Sequence, residues 1–293
     1  MIRTAVFPVA GIGTRLLPAT KAVPKELLPV VDRPLIQYAV DEALQAGIDK
    51  FVFVTSSRKA AIEAYFDTAP ALIGALIASG KDHLVSSVRD VLPPHASAIF
   101  VHQSSQLGLG HAVLCARQAI GREPFAVLLA DDFIIPRPGA INPTAALIAA
   151  FVSSGRSQVL LQEVSAAETH KFGIAIPGIA PASISGLVEK PSPGEAPSNL
   201  ASIGRYVLHQ DIFDVLETLG PGRGGEIQLA DAIDVLARRE CVEGFALDGE
   251  RHDCGNPLGY LGAVIATAAR RGGFGPTFRS LMAAELAAGE RRG

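Results

Sequence analysis

The sequence predicts an α/β fold, a Rossmann-like mixed, mainly parallel sheet flanked by helices. Apolar runs of strand length recur at residues 5–9, 51–54, 98–101 and 124–130, each suited to a buried sheet. Helical apolar spacing fills intervals between them. The first two runs bracket such a helix and make a βαβ unit, so a right-handed crossover and parallel strands follow.

Composition sets the outer limits. The 293 residues are 48% hydrophobic and 19% charged, enough for a substantial core and unlike a disordered chain. One large α/β domain over residues 1–256 with a helical segment over 257–293 accounts for the length. Cys115, Cys241 and Cys254 are far apart and form no CxxC pair, which argues for a reducing compartment and against a zinc site. Neither a secretory leader nor a membrane span is expected, and the cytoplasm is the expected location.

The strand at 5–9 breaks into a turn with Gly11 and Gly13, and Arg15, Lys21 and Lys25 follow. Glycines let successive backbone N–H groups approach one ligand, and clustered cations suit several phosphate charges in a row. Ligands on such sheets bind at the carboxyl ends of strands, where this turn lies. Leu16 stands where a dinucleotide fingerprint needs its third glycine, which disfavours an NAD-dependent oxidoreductase. Gly80-Lys81-Asp82 likewise fails the Walker pattern. From the two glycines alone, an ordinary strand-to-helix turn is an equal reading. Charge favours the anion site: residues 1–33 carry +3 while residues 34–293 carry −6. A nucleic-acid surface would be broadly basic, so no nucleic-acid partner is expected.

Pro34 then opens a helix that Gly47 ends, and residues 51–54 form the second parallel strand. Residues 58–95 read as a peripheral helical insertion. The strand at 98–101 leads to Gln103, whose amide offers the donor and acceptor that a uracil edge requires. Gly108 and a helix starting near His111 follow, and His111 reads as structural. Residues 124–130 are the clearest buried strand, ending in Asp131-Asp132. Carboxylates there are costly unless they hold a cation, and an exposed aspartate turn is the plain alternative. Neighbours on a strand face opposite ways, so only one of the two can point at a metal.

A helix over 142–154 and a strand over 158–161 lead to paired strands at 172–176 and 184–190, the second ending in Glu189-Lys190-Pro191. Glutamate can accept from sugar hydroxyls and lysine can grip a phosphate, although Glu-Lys is also a common surface pair. The strand at 201–208 contains Ile203. Gly224-Gly225 opens a helix with the apolar face Ile227, Ala230, Ile233, Val235 and Leu236, and Glu226 reads as a helix-start residue favoured by the dipole. After a strand at 242–246, Asp253 is either a metal ligand or the cap of a helix starting near Pro257. Terminal helices at 257–271 and 277–289 read as a subunit contact.

The run from Ala10 to Pro34, with its Lys21-Ala22-Val23-Pro24-Lys25-Glu26 core, resembles the bacterial UTP–glucose-1-phosphate uridylyltransferases, or UDP-glucose pyrophosphorylases, among the sugar nucleotidyltransferases. Gly108-Leu109-Gly110-His111-Ala112, Glu189-Lys190-Pro191, Gly225-Glu226-Ile227-Gln228-Leu229 and His252-Asp253-Cys254-Gly255-Asn256 extend the resemblance nearly end to end. It implies a nucleotide-diphospho-sugar transferase fold. In that family glucose 1-phosphate attacks the α-phosphorus of UTP with Mg²⁺, giving UDP-glucose and pyrophosphate. The resemblance implies Gln103 and Gly108 on the uracil, and Gly173, Glu189, Lys190 and Ile203 around the sugar phosphate. For the metal it selects Asp131 over Asp132, with Asp253 as the second carboxylate. The nucleotide set is then Ala10, Gly11, Gly13, Thr14, Arg15, Lys25, Gln103 and Gly108. A homo-oligomer, dimer or tetramer, is expected.

Such chemistry needs no protein nucleophile, because the sugar phosphate brings its own anionic oxygen. The demands are alignment and positive charge, which makes Arg15, Lys25, Asp131 and Lys190 the catalytic set. A thymidylyltransferase-type relative would share these residues. A non-catalytic regulatory member would have lost some of the phosphate or metal positions, and all are present here.

Overall fold

Alternate residues of the central strands feed two different cores. On the first strand, β1 (Thr4–Pro8), Val6 packs into one apolar cluster while Ala5 and Phe7 pack into another. The period-2 alternation of strand side chains, with both faces covered, explains why the strand reads as a continuous apolar run. The computed structural model describes residues 2–192 and 194–290. Residue 193 and the ends of the two expected segments, residues 1 and 291–293, lie outside the described residues.

In chain order, β1 is followed by the small hairpin β2 (Pro29–Val30) and β3 (Arg33–Pro34), then α1 (Leu35–Gln45) and β4 (Lys50–Thr55). The helices α2 (Ala60–Phe66), α3 (Pro70–Ala78) and α4 (Val85–Arg89) precede β5 (Ser97–His102). Next come α5 (Leu109–Cys115), α6 (Arg117–Ile120), β6 (Phe125–Leu128), β7 (Asp132–Pro136), α7 (Pro143–Ser154) and β8 (Ser157–Glu163). The second half holds β9 (Gly173–Pro177), β10 (Ile184–Glu189), β11 (Leu200–Leu208), α8 (Ile212–Thr218), α9 (Leu229–Ala237), β12 (Val242–Ala246) and β13 (Gly249–Asp253). Two helices, α10 (Pro257–Arg270) and α11 (Gly275–Glu290), close the described chain.

The main sheet runs β10-β9-β11-β6-β1-β4-β5, with β8 bridging β11 and β12. β6, β1, β4 and β5 are parallel, as the βαβ reading requires, while β11 runs antiparallel to β6, β8 and β9. The sheet is therefore mixed, parallel around the Gly-rich turn and largely antiparallel beyond it. α1 and α7 cover one face around Phe51, Phe53 and Leu128, whereas α5, α8 and α9 cover the other around Val52, Val127 and Phe213. Phe53 stacks on Phe66 at 4.5 Å and on Phe100 at 5.3 Å between ring centroids. Truncating it to alanine would cost roughly 3–5 kcal/mol.

Several boundaries differ from the sequence reading. The strand expected over 124–130 stops at Leu128; Asp132 begins β7, which pairs with β13 in a separate two-stranded sheet. The helix expected from Gly224 starts at Leu229, because Gly224 and Gly225 both adopt left-handed φ. Its buried face is accordingly Leu229, Ala232, Ile233 and Leu236. Residues 58–95 hold α2, α3 and α4, with turns between and after them, and α3 buries none of its side chains. The start of that stretch is not peripheral, however, since Lys59 is only 5% exposed. Asn256, not Asp253, caps α10, accepting from the Gly259 N–H at 2.9 Å. α10 also packs on the body through Ala263, beside Val30, Leu35 and Phe133, and Tyr260 donates to the Pro29 carbonyl at 2.7 Å. Among the described residues no single helix is long and apolar enough to cross a membrane; Ser57–Phe66 and Pro70–Ala78 reach that length only as a pair bent by 47°.

Candidate active site

The turn after β1 is braced by its own side chains. Gly13 takes a left-handed φ of 73°, and its carbonyl accepts from Thr20 Oγ1 at 2.8 Å. Short 3-10 turns at Thr14–Leu16 and Lys25–Leu27 then carry Arg15 and Lys25. A cleft of about 550 Å³ opens beside this turn. Ala10, Gly11, Gly13, Thr14, Arg15, Lys25, Gln103, Gly108, Asp131 and Lys190 all line it. Volume alone is a poor guide to function: a hollow of about 680 Å³ beside Arg117 has its arginine already paired with Asp214 and Glu217.

Two ion pairs involve cleft residues; Lys25 and Asp131 both line the cleft, while Asp253 lies outside its lining. Lys25 Nζ lies 2.5 Å from Asp131 Oδ2, and Arg15 Nη1 lies 3.3 Å from Asp253 Oδ2. Burial works against the charge on Lys25, but Asp131 and Glu26 outweigh it and hold its pKa above the usual lysine value. Burial likewise pushes the Asp131 carboxyl up, and Lys25 outweighs that to leave it below the usual aspartate value. Asp132 turns the other way. It accepts from the Gly204 N–H at 2.8 Å and from Arg251 Nε at 2.6 Å, and burial leaves its pKa raised. Asp132 thus ties β7 to β13 while Asp131 faces the cleft.

The carboxylates of Asp131 and Asp253 approach one gap. A Cβ built on Gly255 would stand 2.9 Å from Asp253 Oδ1 and 3.0 Å from Asp131 Oδ2, and closer still to Arg15 Nη2, whose guanidinium sits between the two carboxylates. Among the described residues no group of three or more His, Cys, Asp or Glu side chains could enclose a metal. Mg²⁺ takes one or two carboxylates and fills its other positions with phosphate oxygens and water, so the donor set of Asp131 and Asp253 fits that ion once Lys25 and Arg15 turn to the substrate.

The other rim carries Lys190, at a φ of 45° just past β10. Its Nζ is 3.1 Å from Glu189 Oε1, and Glu189 pairs in register with Gly173. Three of the four expected sugar-phosphate residues are therefore neighbours. Ile203 is the exception: its side chain is 1% exposed and packs in the core beside Val207 and Leu128, away from the cleft. It is an alternating strand residue whose inward parity places it there.

Sequence reading missed three contributors. Glu226, taken as a helix-start residue, lines the cleft instead, because the helix begins three residues later. Its Cβ and the Ile227 carbonyl both stand 2.7 Å from where a Cβ on Gly108 would lie, so that position requires glycine. Gln106 Nε2 donates to the Ala10 carbonyl at 2.9 Å, linking the 103–108 loop to the Gly-rich turn. Lys59 Nζ donates to both Glu26 oxygens, at 2.9 and 2.7 Å, beneath Lys25. Gln106 and Lys59 stand in stretches with no motif, so only the folded arrangement reveals them.

Comparison with known proteins gives the family. The profile of the nucleotidyl transferase family matches residues 5–269. A UTP–glucose-1-phosphate uridylyltransferase of Escherichia coli K12 is 43% identical over 97% of this chain and 96% of its own length. Among solved structures, a UTP-bound UGPase from Acinetobacter baumannii is 41% identical with a TM-score of 0.88, covering 96% of this chain and 99% of that one. A UDP-glucose pyrophosphorylase complexed with UDP-glucose is 39% identical with a TM-score of 0.81, covering 92% of this chain and all of that one.

Proposed function

This chain belongs to the nucleotidyl transferase family, and we propose that it transfers the uridylyl group of UTP to α-D-glucose 1-phosphate, giving UDP-glucose and pyrophosphate. The observation that carries the reading is the single cleft in which the Gly-rich turn, Arg15 and Lys25 stand with Asp131 on one side and Lys190 on the other.

A phosphate oxygen of the sugar forms the new bond to the α-phosphorus, and the α–β bridging bond breaks, its electron pair leaving on pyrophosphate. No protein nucleophile takes part. The chain supplies alignment and charge. Backbone from Gly11 to Gly13, with Arg15 and Lys25, holds the triphosphate, and Lys190 holds the incoming sugar phosphate beside Glu189 and Gly173. Leaving their carboxylate partners for the substrate, Lys25 and Arg15 offset the negative charge that grows on the leaving group. Asp131 and Asp253 would hold Mg²⁺, which when bound neutralises phosphoryl oxygens.

Gln103 and Gly108 receive the uracil. The exposed Leu258, Leu261, Leu281 and Leu286 of α10 and α11 suit contact with a second copy of the chain, and three free cysteines suit the reducing cytoplasm. The test is pyrophosphate release from a panel of nucleoside triphosphates and sugar 1-phosphates, with and without Mg²⁺. UTP with glucose 1-phosphate and Mg²⁺ should be the best combination; dTTP as the better nucleotide would point to a thymidylyltransferase.

A further inference from the structure

Gln103 is 6% exposed, and both hydrogens of its amide are in use. Nε2 donates to the Gly108 carbonyl at 3.2 Å, and it lies 2.9 Å from Nδ1 of His111 on the first turn of α5. A carbonyl oxygen can only accept, so the nitrogen end of the amide must face Gly108. His111 Nδ1, meeting that same NH₂ group, must then be the acceptor, which puts the ring proton on Nε2. The main chain is also held, since the Gln103 N–H donates to the Thr55 carbonyl at 2.8 Å. With its nitrogen end occupied, the amide offers the cleft its oxygen.

We propose that His111 is a positioning residue for base selection: by accepting from Gln103 Nε2 it holds the amide with its carbonyl oxygen toward the base and so favours uracil over cytosine. An oxygen at that place accepts from the N3–H of a uracil. Against cytosine it meets the N3 lone pair, and two acceptors face each other. A side-chain amide has a broad, roughly two-fold terminal torsion, so its orientation is set by its partners. Without His111 only the Gly108 carbonyl opposes a turn of the amide, and a turned amide would donate to cytosine N3. This inference rests on the reading that the base lies against Gln103.

The experiment compares kcat/KM for UTP and CTP in the full-length protein. His111→Leu should narrow the UTP-over-CTP ratio by on the order of tenfold, the scale of one net hydrogen bond, through KM more than kcat. His111→Asn, whose Oδ1 can stand where Nδ1 stood, should restore most of the ratio. A parental ratio in His111→Leu, or an Asn variant no better than the Leu variant, would overturn the assignment. Should the Leu variant fail to fold, ¹⁵N spectra of the histidine-labelled parental protein decide: the Nε2–H tautomer supports the assignment and the Nδ1–H tautomer overturns it. Gln103→Leu separates the two layers. If it leaves the ratio unchanged, the base does not lie against Gln103 and both readings fall; if it narrows the ratio while His111→Leu does not, only the positioning role falls.

Discussion

Lys25 Nζ and Asp131 Oδ2 stand 2.5 Å apart, although 106 residues separate them in sequence. A cation suited to a triphosphate and a carboxylate suited to a metal thus neutralise each other across the cleft. Lys25→Ala should raise the transition-state barrier by about 3 kcal/mol, the scale of losing one electrostatic donor. Asp131 keeps contact with water at 23% side-chain exposure, so the fold should survive. Steady-state kinetics with a thermal melt check this, and an unchanged kcat would remove Lys25 from the mechanism.

The gap at Gly255 leads to a metal prediction. Asp131→Asn and Asp253→Asn should each move the Mg²⁺ activation curve to higher concentration, on the order of tenfold or more. Gly255→Ala should do likewise with both carboxylates intact, because its methyl group would displace the Arg15 guanidinium and crowd both carboxylates. Superimposable Mg²⁺ titrations of all four proteins would place the metal elsewhere.

Beneath Lys25, Glu26 is 1% exposed and its charge is met by Lys59. Lys59→Met strands that carboxylate and should destabilise the protein by roughly 3–5 kcal/mol in urea unfolding, with kcat falling as the Lys25 turn loosens. Adding Glu26→Gln should recover part of the stability. A Lys59→Met protein as stable as its parent would show that the pair does not anchor the turn.

Acid should weaken the β8–β12 edge through Glu243. Burial pushes its carboxyl up, but hydrogen bonds from Gln158, Ser154 and Arg156 outweigh this and hold its pKa below the usual value. A depressed folded pKa means stabilisation present above the unfolded value of about 4.3 and lost as pH falls through the folded one. Glu243→Gln should therefore lose less stability than the parent between pH 7 and pH 3. Parallel stability curves for the two proteins would contradict this.

Much of this was legible in sequence where the signal is local. The apolar runs mark β1, β4 and β6 because buried parallel strands carry no polar face, whereas β5, the edge strand, is only partly buried; the glycines with Arg15 and Lys25 mark one wall of the cleft. Asp131 and Asp132 show where local reading stops. Strand parity says that one of them faces the cleft but not which; the choice depends on Arg251 and Gly204, partners brought in by other strands. β7 and β13 pair across more than a hundred residues, and that hairpin-free pairing leaves no turn signature. Glu226 was misjudged for a backbone reason, since two left-handed glycines delay the helix and leave its side chain in the cleft.

The most direct measurement is a crystal structure with UTP and Mg²⁺ bound. The triphosphate should lie along Gly11 to Arg15 within reach of Lys25, with uracil N3 facing Gln103 Oε1. Nucleotide bound away from the turn at Gly11 would contradict the account at its centre.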